Sequence, residues 1–373
     1  MKKVASLTAG FLCSLLFLSC SKSLDRPQQE DNELLSMKAN HVASSNGTCN
    51  FLDPFNLVSS SQHCTIDTIS KGFKFTEGPA VDKKGNVYFT DQPDDRIYKW
   101  DARTGQVSLF LQGTGRSNGM AFDKDGNLIA CADMHGELWK IKPDGSHTVI
   151  VNNYNGKLLN GPNDVWVNPV TGGLYITDPM FPRGYWDNTD PRKTNNPSWP
   201  PVYSDQGAGI AGHVYYLAPG STSLVRVTGS FAGWNPQSSW PNGIAGSPDG
   251  KKLYINKWNF DGTGGIWVFD INSNGTLSNM QPFVPGLNFC DGMSMDEKGN
   301  VYVSTNEGVV VYNPAGTRIL TLPTGGGSTN NVFAGTNNKI LFMTGGGPTS
   351  PPFPNNNDRV MSVKMNVKGV ERF

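Results

Sequence analysis

The 373 residues carry 31 basic and 31 acidic side chains, for a formal net charge of zero, and neither half is strongly basic. That balance argues against a nucleic-acid partner. The 43 glycines and 25 prolines exceed the usual share but stay below the level that signals disorder, which fits a fold with many tight turns. The length is normal for a single propeller or barrel.

In chain order, the first element is a targeting segment. Lys2 and Lys3 supply a positive start, and Val4 to Leu18 is an apolar stretch of signal-peptide length, short for a bilayer span. It ends in Phe17-Leu18-Ser19-Cys20, which resembles a bacterial lipobox, where a small residue precedes a cysteine that is cleaved and lipidated. Phe17 departs from the usual small aliphatic residue, so an ordinary signal peptide is the alternative. Residues 1–20 are therefore read as a lipoprotein-type leader with a lipid anchor at Cys20. The protein is expected at the cell envelope, facing the periplasm or the cell surface, or else secreted to the periplasm. A polar linker and N-terminal extension follow over 21–69. Within it, Cys49 and Cys64 could pair in an oxidising compartment, for a gain of about 3 kcal/mol by loop entropy. Cys131 and Cys290 read as small buried residues.

From residue 75 onward, within a domain read as 70–373, a turn-plus-strand phrase recurs. It runs Glu77-Gly78-Pro79-Ala80, then Gly85-Asn86-Val87-Tyr88-Phe89. It returns at Asn118-Gly119, Asn163-Asp164, Asn242-Gly243 and Asp291-Gly292, with a weaker sixth copy at Asn331 or Asn330. Further alternating runs rich in Val, Ile, Tyr, Phe and Trp follow each copy, bounded by Gly, Asp, Asn or Pro, which are strand and turn signals. Four strands per unit at a period of about 40 residues predict an all-β, six-bladed β-propeller behind a signal peptide and a short polar segment. The third unit carries an insertion, Met180 to Gly212, whose aromatics suggest a structured lid over one mouth of the channel.

Innermost propeller strands converge on an axis, so residues at one phase point to one spot. Glu77, Asn118, Asn163, Asn242 and Asp291 share that phase. Carboxylates and amide carbonyls are hard oxygen donors, suited to Ca²⁺, Mg²⁺ or Mn²⁺, and no His/Cys spacing suits zinc. A lone Asn-Gly is ordinarily a turn; in-phase copies with two acids among amides favour a site.

The phrases Phe75-Thr-Glu-Gly-Pro79, Arg116-Ser-Asn-Gly-Met-Ala-Phe122, Gly161-Pro-Asn-Asp164, Pro241-Asn-Gly243 and Asp291-Gly-Met293 resemble the gluconolactonase/regucalcin (senescence marker protein) family, bacterial branch, distant relatives of paraoxonases. The resemblance covers roughly residues 70–369. It implies a six-bladed propeller holding one divalent cation, Ca²⁺ first with Mg²⁺, Mn²⁺ or Zn²⁺ as alternatives, and hydrolysis of a small lactone or sugar-acid ester. By motif it implies Glu77, Asn163, Asn242 and Asp291 as metal ligands, Asp291 also as acid–base, and Asn118, Asn163 and Arg116 toward substrate. His135 is a second candidate for proton transfer, with Asp133 after it. The sugar-contacting Arg of animal regucalcins is Gly161 here, and their acidic residue shortly downstream is missing near Asp178, so substrate identity does not carry over. A monomer is expected. The rival readings are a non-catalytic metal- or ligand-binding envelope propeller and an interaction scaffold working through an outer face.

Overall fold

The computed structural model describes residues 51–59, 65–179, 181, 212–234, 239–258, 264–287, 289–347 and 357–370. The leader, Cys20, Cys49, Cys64 and nearly all of the Met180–Gly212 insertion lie outside the described residues. Among the described residues, twenty-four strands form six four-stranded antiparallel sheets. Blade one is β2 (Thr76–Val81), β3 (Val87–Asp91), β4 (Arg96–Trp100) and β5 (Val107–Gln112). Blade two is β6 (Ser117–Phe122), β7 (Leu128–Ala132), β8 (Glu137–Ile141) and β9 (His147–Val151). Blade three is β10 (Val165–Val167), β11 (Leu174–Asp178), β12 (His213–Leu217) and β13 (Leu224–Arg226). Blade four is β14 (Trp240–Gly246), β15 (Lys252–Trp258), β16 (Gly265–Ile271) and β17 (Leu277–Pro285). Blade five is β18 (Met293–Met295), β19 (Val301–Thr305), β20 (Gly308–Tyr312) and β21 (Arg318–Leu322). Blade six joins β22 (Ser328–Ala334), β23 (Ile340–Gly345) and β24 (Arg359–Lys364) from the end of the chain to β1 (Asp67–Lys71) from its beginning. The six-bladed all-β architecture expected from the repeats is the one observed.

The repeated turn has a local cause. Asp82 Oδ1 accepts from the backbone N–H of Lys84 (2.8 Å) and Asn86 (3.0 Å), and Asn86 Nδ2 donates to Asp82 Oδ2 (2.8 Å). Asp123 with Asn127 and Asp296 with Asn300 repeat the arrangement. An Asp followed four residues later by Asn thus ties the first hairpin of blades one, two and five without any help from the core.

The core is six wedges, one between each pair of neighbouring blades. Ile97 and Ala80 meet Met120 and Trp139 between blades one and two, and Phe89 and Trp100 meet Phe342 between blades six and one. Tyr302 meets Phe333 between blades five and six, where Leu57 and Val58 of the N-terminal extension are also buried. Ring closure therefore rests on β1 paired to β24 and on apolar side chains that precede β1. Among the described residues, no helix is long and apolar enough to cross a membrane.

Candidate active site

Four of the six innermost strands carry a β-bulge where the repeat has its oxygen-bearing residue. Pairing slips between Glu77 and Ala80 in β2, Ser117 and Met120 in β6, Pro241 and Ile244 in β14, and Ser328 and Asn330 in β22. In blades three and five the equivalent residues, Asn163 and Asp291, stand just ahead of short inner strands. A bulge leaves one residue out of the ladder and re-aims its side chain. The bulged strands and the starts of the two short ones together deliver Glu77, Asn118, Asn163, Asn242 and Asp291 to one cavity of about 580 Å³. The first four are 4–8% exposed and Asp291 is half-buried.

The sixth position differs from the reading of the sequence. The slip in β22 places Thr329, not Asn330 or Asn331, at the shared phase, and Thr329 lines the cavity beside Ser328. Asn330 is turned along the axis: its Nδ2 donates to Glu77 Oε2 (3.2 Å), and its side chain also bonds Asp164. Asn331 is tied to Ser304 (3.0 Å) and Ser294.

The residue after each phase position explains how closely the inner strands approach. It is Gly78, Gly119, Gly243 and Gly292 in four blades, and Asp164 and Asn330 in the other two. A Cβ on Gly119 would lie 2.6 Å from both Asn163 O and Asp164 Cα. The Gly119 N–H donates to Asn163 O (2.6 Å), Gly292 N–H to Thr329 O (2.8 Å), the Thr329 hydroxyl to Thr76 O (2.7 Å), and Asn256 Nδ2 to Asp291 O. These bonds stitch one blade to the next directly behind the site and hold the donors at fixed spacing.

Asp164 is the functional-site residue that the sequence reading passed over. It is buried on the axis, where it accepts from the N–H groups of Val165 (2.9 Å) and Ile244 and from Asn330. Burial, with the Glu77 carboxylate close by, pushes its pKa up to about 8. The signal for it was present: Asp stands where the repeat asks for Gly. Asp164 and Asn330 line a second cavity of about 340 Å³, with Met120, Val165, Ile244 and Met293 among its apolar wall.

The other expected residues fall elsewhere. His135 is exposed, stacks on Trp139 at 5.7 Å, and is not among the side chains lining the cavity. Arg116 is half-buried with a positive φ of 49°; its N–H donates to Asp95 Oδ1 (2.6 Å), and its side chain does not line the cavity either. Asp133 is fully buried behind Gln92, whose Nε2 donates to it (2.9 Å). At Gly161 a Cβ would lie 2.5 Å from Asp133 Oδ1, so Asp133 fills the direction a side chain would take. Asp178 accepts the N–H groups of Asn160 and Gly161 (3.0 Å each) and thereby holds that loop. Cys131 and Cys290 are buried free thiols, and burial raises the pKa of both.

The donor set fits a hard divalent cation. Two carboxylates and three amides meet in one cavity, and among the described residues no three His, Cys, Asp or Glu side chains cluster as a metal group. Asn118 Oδ1 is buried with no hydrogen-bond donor, an arrangement that a cation would complete.

The profile of the SMP-30/Gluconolactonase/LRE-like region matches residues 75–347. A gluconolactonase of Zymomonas mobilis is 31% identical over 277 residues, covering 67% of this chain and 70% of that protein. Among solved structures, a gluconolactonase from Xanthomonas campestris superposes with a TM-score of 0.64 at 24% identity, over 86% of this chain and 98% of that one. The calcium-binding regucalcin of Agrobacterium tumefaciens gives 0.61 at 17% identity, over 83% and 96%. At those identities the two structures speak for the fold alone. The profile match over most of the propeller, with a curated relative above 30% identity, shows that this chain belongs to the SMP-30/gluconolactonase/LRE-like family.

Proposed function

We propose that this chain is a lactone hydrolase that works with one divalent cation, Ca²⁺ by preference, held by Glu77, Asn163, Asn242 and Asp291. Family membership and the gluconolactonase relative support the hydrolase. The observation that carries the cation is the convergence of these four residues with the unbonded Asn118 Oδ1 in one cavity.

When bound, the cation would supply Lewis-acid polarisation of the lactone carbonyl. The chain's own residues do the rest. The cavity admits a small ring and a water beside Asp291. Asp291 takes the proton of the attacking water and returns it to the ring oxygen as the acyl C–O bond breaks, so that lactone plus water leaves as one hydroxy acid. Glu77 is fixed by the N–H of Gly78 (2.6 Å) and by Asn330, which keeps it a ligand and not a second base. Asp291 is half-buried and so stays open to the water it would deprotonate. Asn118 and Asn163 offer amide groups to the substrate. His135 and Arg116, away from the cavity wall, act outside the reacting centre.

Asp291→Asn keeps an oxygen ligand and removes the base. The variant is expected to retain calcium by calorimetric titration and to lose about 10²–10⁴-fold in kcat. Retained rate with retained metal would reduce Asp291 to a ligand. A wild-type chain that binds Ca²⁺ yet turns over no lactone would give the lead to a non-catalytic binding propeller, the reading that the closed-off Gly161 position favours. We further propose that Cys20 carries the lipid that holds the enzyme at the envelope.

A further inference from the structure

We propose that the substrate of this site is a lactone bearing an aryl or medium-chain alkyl substituent, not a fully hydroxylated sugar lactone, and that Phe289 and Trp258 hold the substituent. The inference rests on the lactone-hydrolase reading above and adds the substrate class.

Four aromatic rings form one continuous wall of the cavity. Phe181 meets Trp240 at 5.6 Å and Trp258 at 5.4 Å, Trp240 meets Trp258 at 6.0 Å, and Trp258 meets Phe289 at 5.4 Å, most of them edge to face. All four line the cavity that holds Glu77 and Asp291. The wall descends from Phe289, 47% exposed, to Trp240, which is buried. It ends beside the ligands: Asp291 follows Phe289 by two residues, and Asn242 follows Trp240 by two.

Phe289 is the informative member. Its φ is 58°, a left-handed conformation that is unfavourable for a bulky side chain. Half of the ring nonetheless faces water, where it gains little from burial. A strained backbone that presents an apolar ring to an open cavity is a feature of binding sites and adds nothing to the core.

The chemistry of the remaining lining points the same way. Among the described residues no Lys, Arg or His side chain lines the cavity. Its uncharged polar groups are spread round the ring, with Gln92, Asn118 and Thr329 from blades one, two and six and Asn306 from blade five, and the aromatic side chains gather chiefly between blades three and five. A lactone hydroxylated all round its ring could lay a C–H face on these rings, but its edge hydroxyls would find no partner on Phe181, Trp240, Trp258 or Phe289. A lactone with its carbonyl among the carboxylates and amides and one apolar substituent on Trp258 and Phe289 uses both kinds of lining.

The test uses the Ca²⁺-loaded full chain and three six-membered lactones: δ-valerolactone, its 5-phenyl derivative and D-glucono-δ-lactone. The phenyl lactone is expected to exceed both others at least tenfold in kcat/KM. Phe289→Gly removes the ring and relieves the positive φ, so it should not lower the melting temperature, yet it should cut the phenyl-to-unsubstituted ratio at least fivefold through KM. A purely structural Phe289 would leave that ratio unaltered, and this result, or a preference for D-glucono-δ-lactone, overturns the proposal. If no lactone is turned over, the hydrolase reading fails separately, and calorimetric titration with 5-hydroxy-5-phenylpentanoate and with gluconate decides the substrate class. Tenfold tighter binding of the phenyl acid sustains it; equal or absent binding of both overturns it.

Discussion

Gly119→Ala isolates the close approach of inner strands on which the site depends. The φ of Gly119 lies outside the left-handed range, so the substitution adds no backbone strain of its own. The new Cβ would stand 2.6 Å from Asn163 O and 2.6 Å from Asp164 Cα, where ordinary contact needs about 3.3–3.8 Å. Blades two and three must part by roughly 0.7 Å or more at this point, or the strand must rotate, and either response lengthens the 2.6 Å bond from Gly119 N–H to Asn163 O. Overpacking of this kind costs about 1–3 kcal/mol, and a weakened buried hydrogen bond adds about 1 kcal/mol. The loss of stability is therefore about 2–4 kcal/mol, read as a lower urea midpoint at unchanged slope.

Stability alone would not show that the approach serves the site, so the same titration is run in chelator and in Ca²⁺. Asn118 precedes Gly119 and Asn163 is the residue pushed away, so two donors move. The added stability from calcium follows RT ln(1 + [L]/Kd). A tenfold loss of affinity removes about 1.4 kcal/mol of it. Gly119→Ala should accordingly lose more in calcium than in chelator. Gly126→Ala is the control: its φ is 83° with nothing within 4 Å of an added Cβ. It should lose about 1 kcal/mol equally in both conditions. A Gly119→Ala variant with wild-type midpoint and wild-type calcium affinity would refute the reasoning.

Asn118→Leu replaces a buried acceptor that has no donor, so without metal it should leave stability unchanged or raise it, while calcium affinity falls about tenfold by calorimetry. Val58→Ala, in the wedge between blades five and six, should cost about 1–3 kcal/mol in urea unfolding although it lies ahead of the first strand. Removing residues up to Lys71 strips β1 from β24 and should yield aggregated protein by size-exclusion chromatography. Mass spectrometry of the native protein should find lipid on Cys20; cleavage after another residue with Cys20 unmodified would refute the anchor.

The blades were legible because each is built from local rules. Asp82 and Asn86 close their hairpin through bonds spanning four residues, so the same spacing at Asp123 and Asp296 announces the same turn. The convergence of Glu77, Asn118, Asn163, Asn242 and Asp291 was legible because their phase is set within each strand. Thr329 was not: a bulge changes which residue leaves the ladder, and Asn330-Asn331 offers a more conspicuous polar pair one step later. The aromatic wall escaped for a different reason. Phe181 follows β11 of blade three, Trp240 and Trp258 lie on blade four, and Phe289 precedes blade five, so only the closed ring brings them together.

Strict repetition would place six small residues behind the donor ring and leave the axis open from end to end. Two copies break the rule, at Asp164 and Asn330, and both substitute a polar side chain for hydrogen. Neither side chain can point outward, because the neighbouring inner strands occupy that space: a Cβ on Gly292 would run into Asn330, and one on Gly119 into Asp164. They meet each other on the axis and, through Asn330, reach Glu77. Both line the largely apolar cavity, and Glu77, to which Asn330 donates, lines the cavity of carboxylates and amides. The repeat thus supplies the geometry that brings Glu77, Asn118, Asn163, Asn242 and Asp291 together, and its two violations add the polar groups on the axis that brace Glu77 from behind.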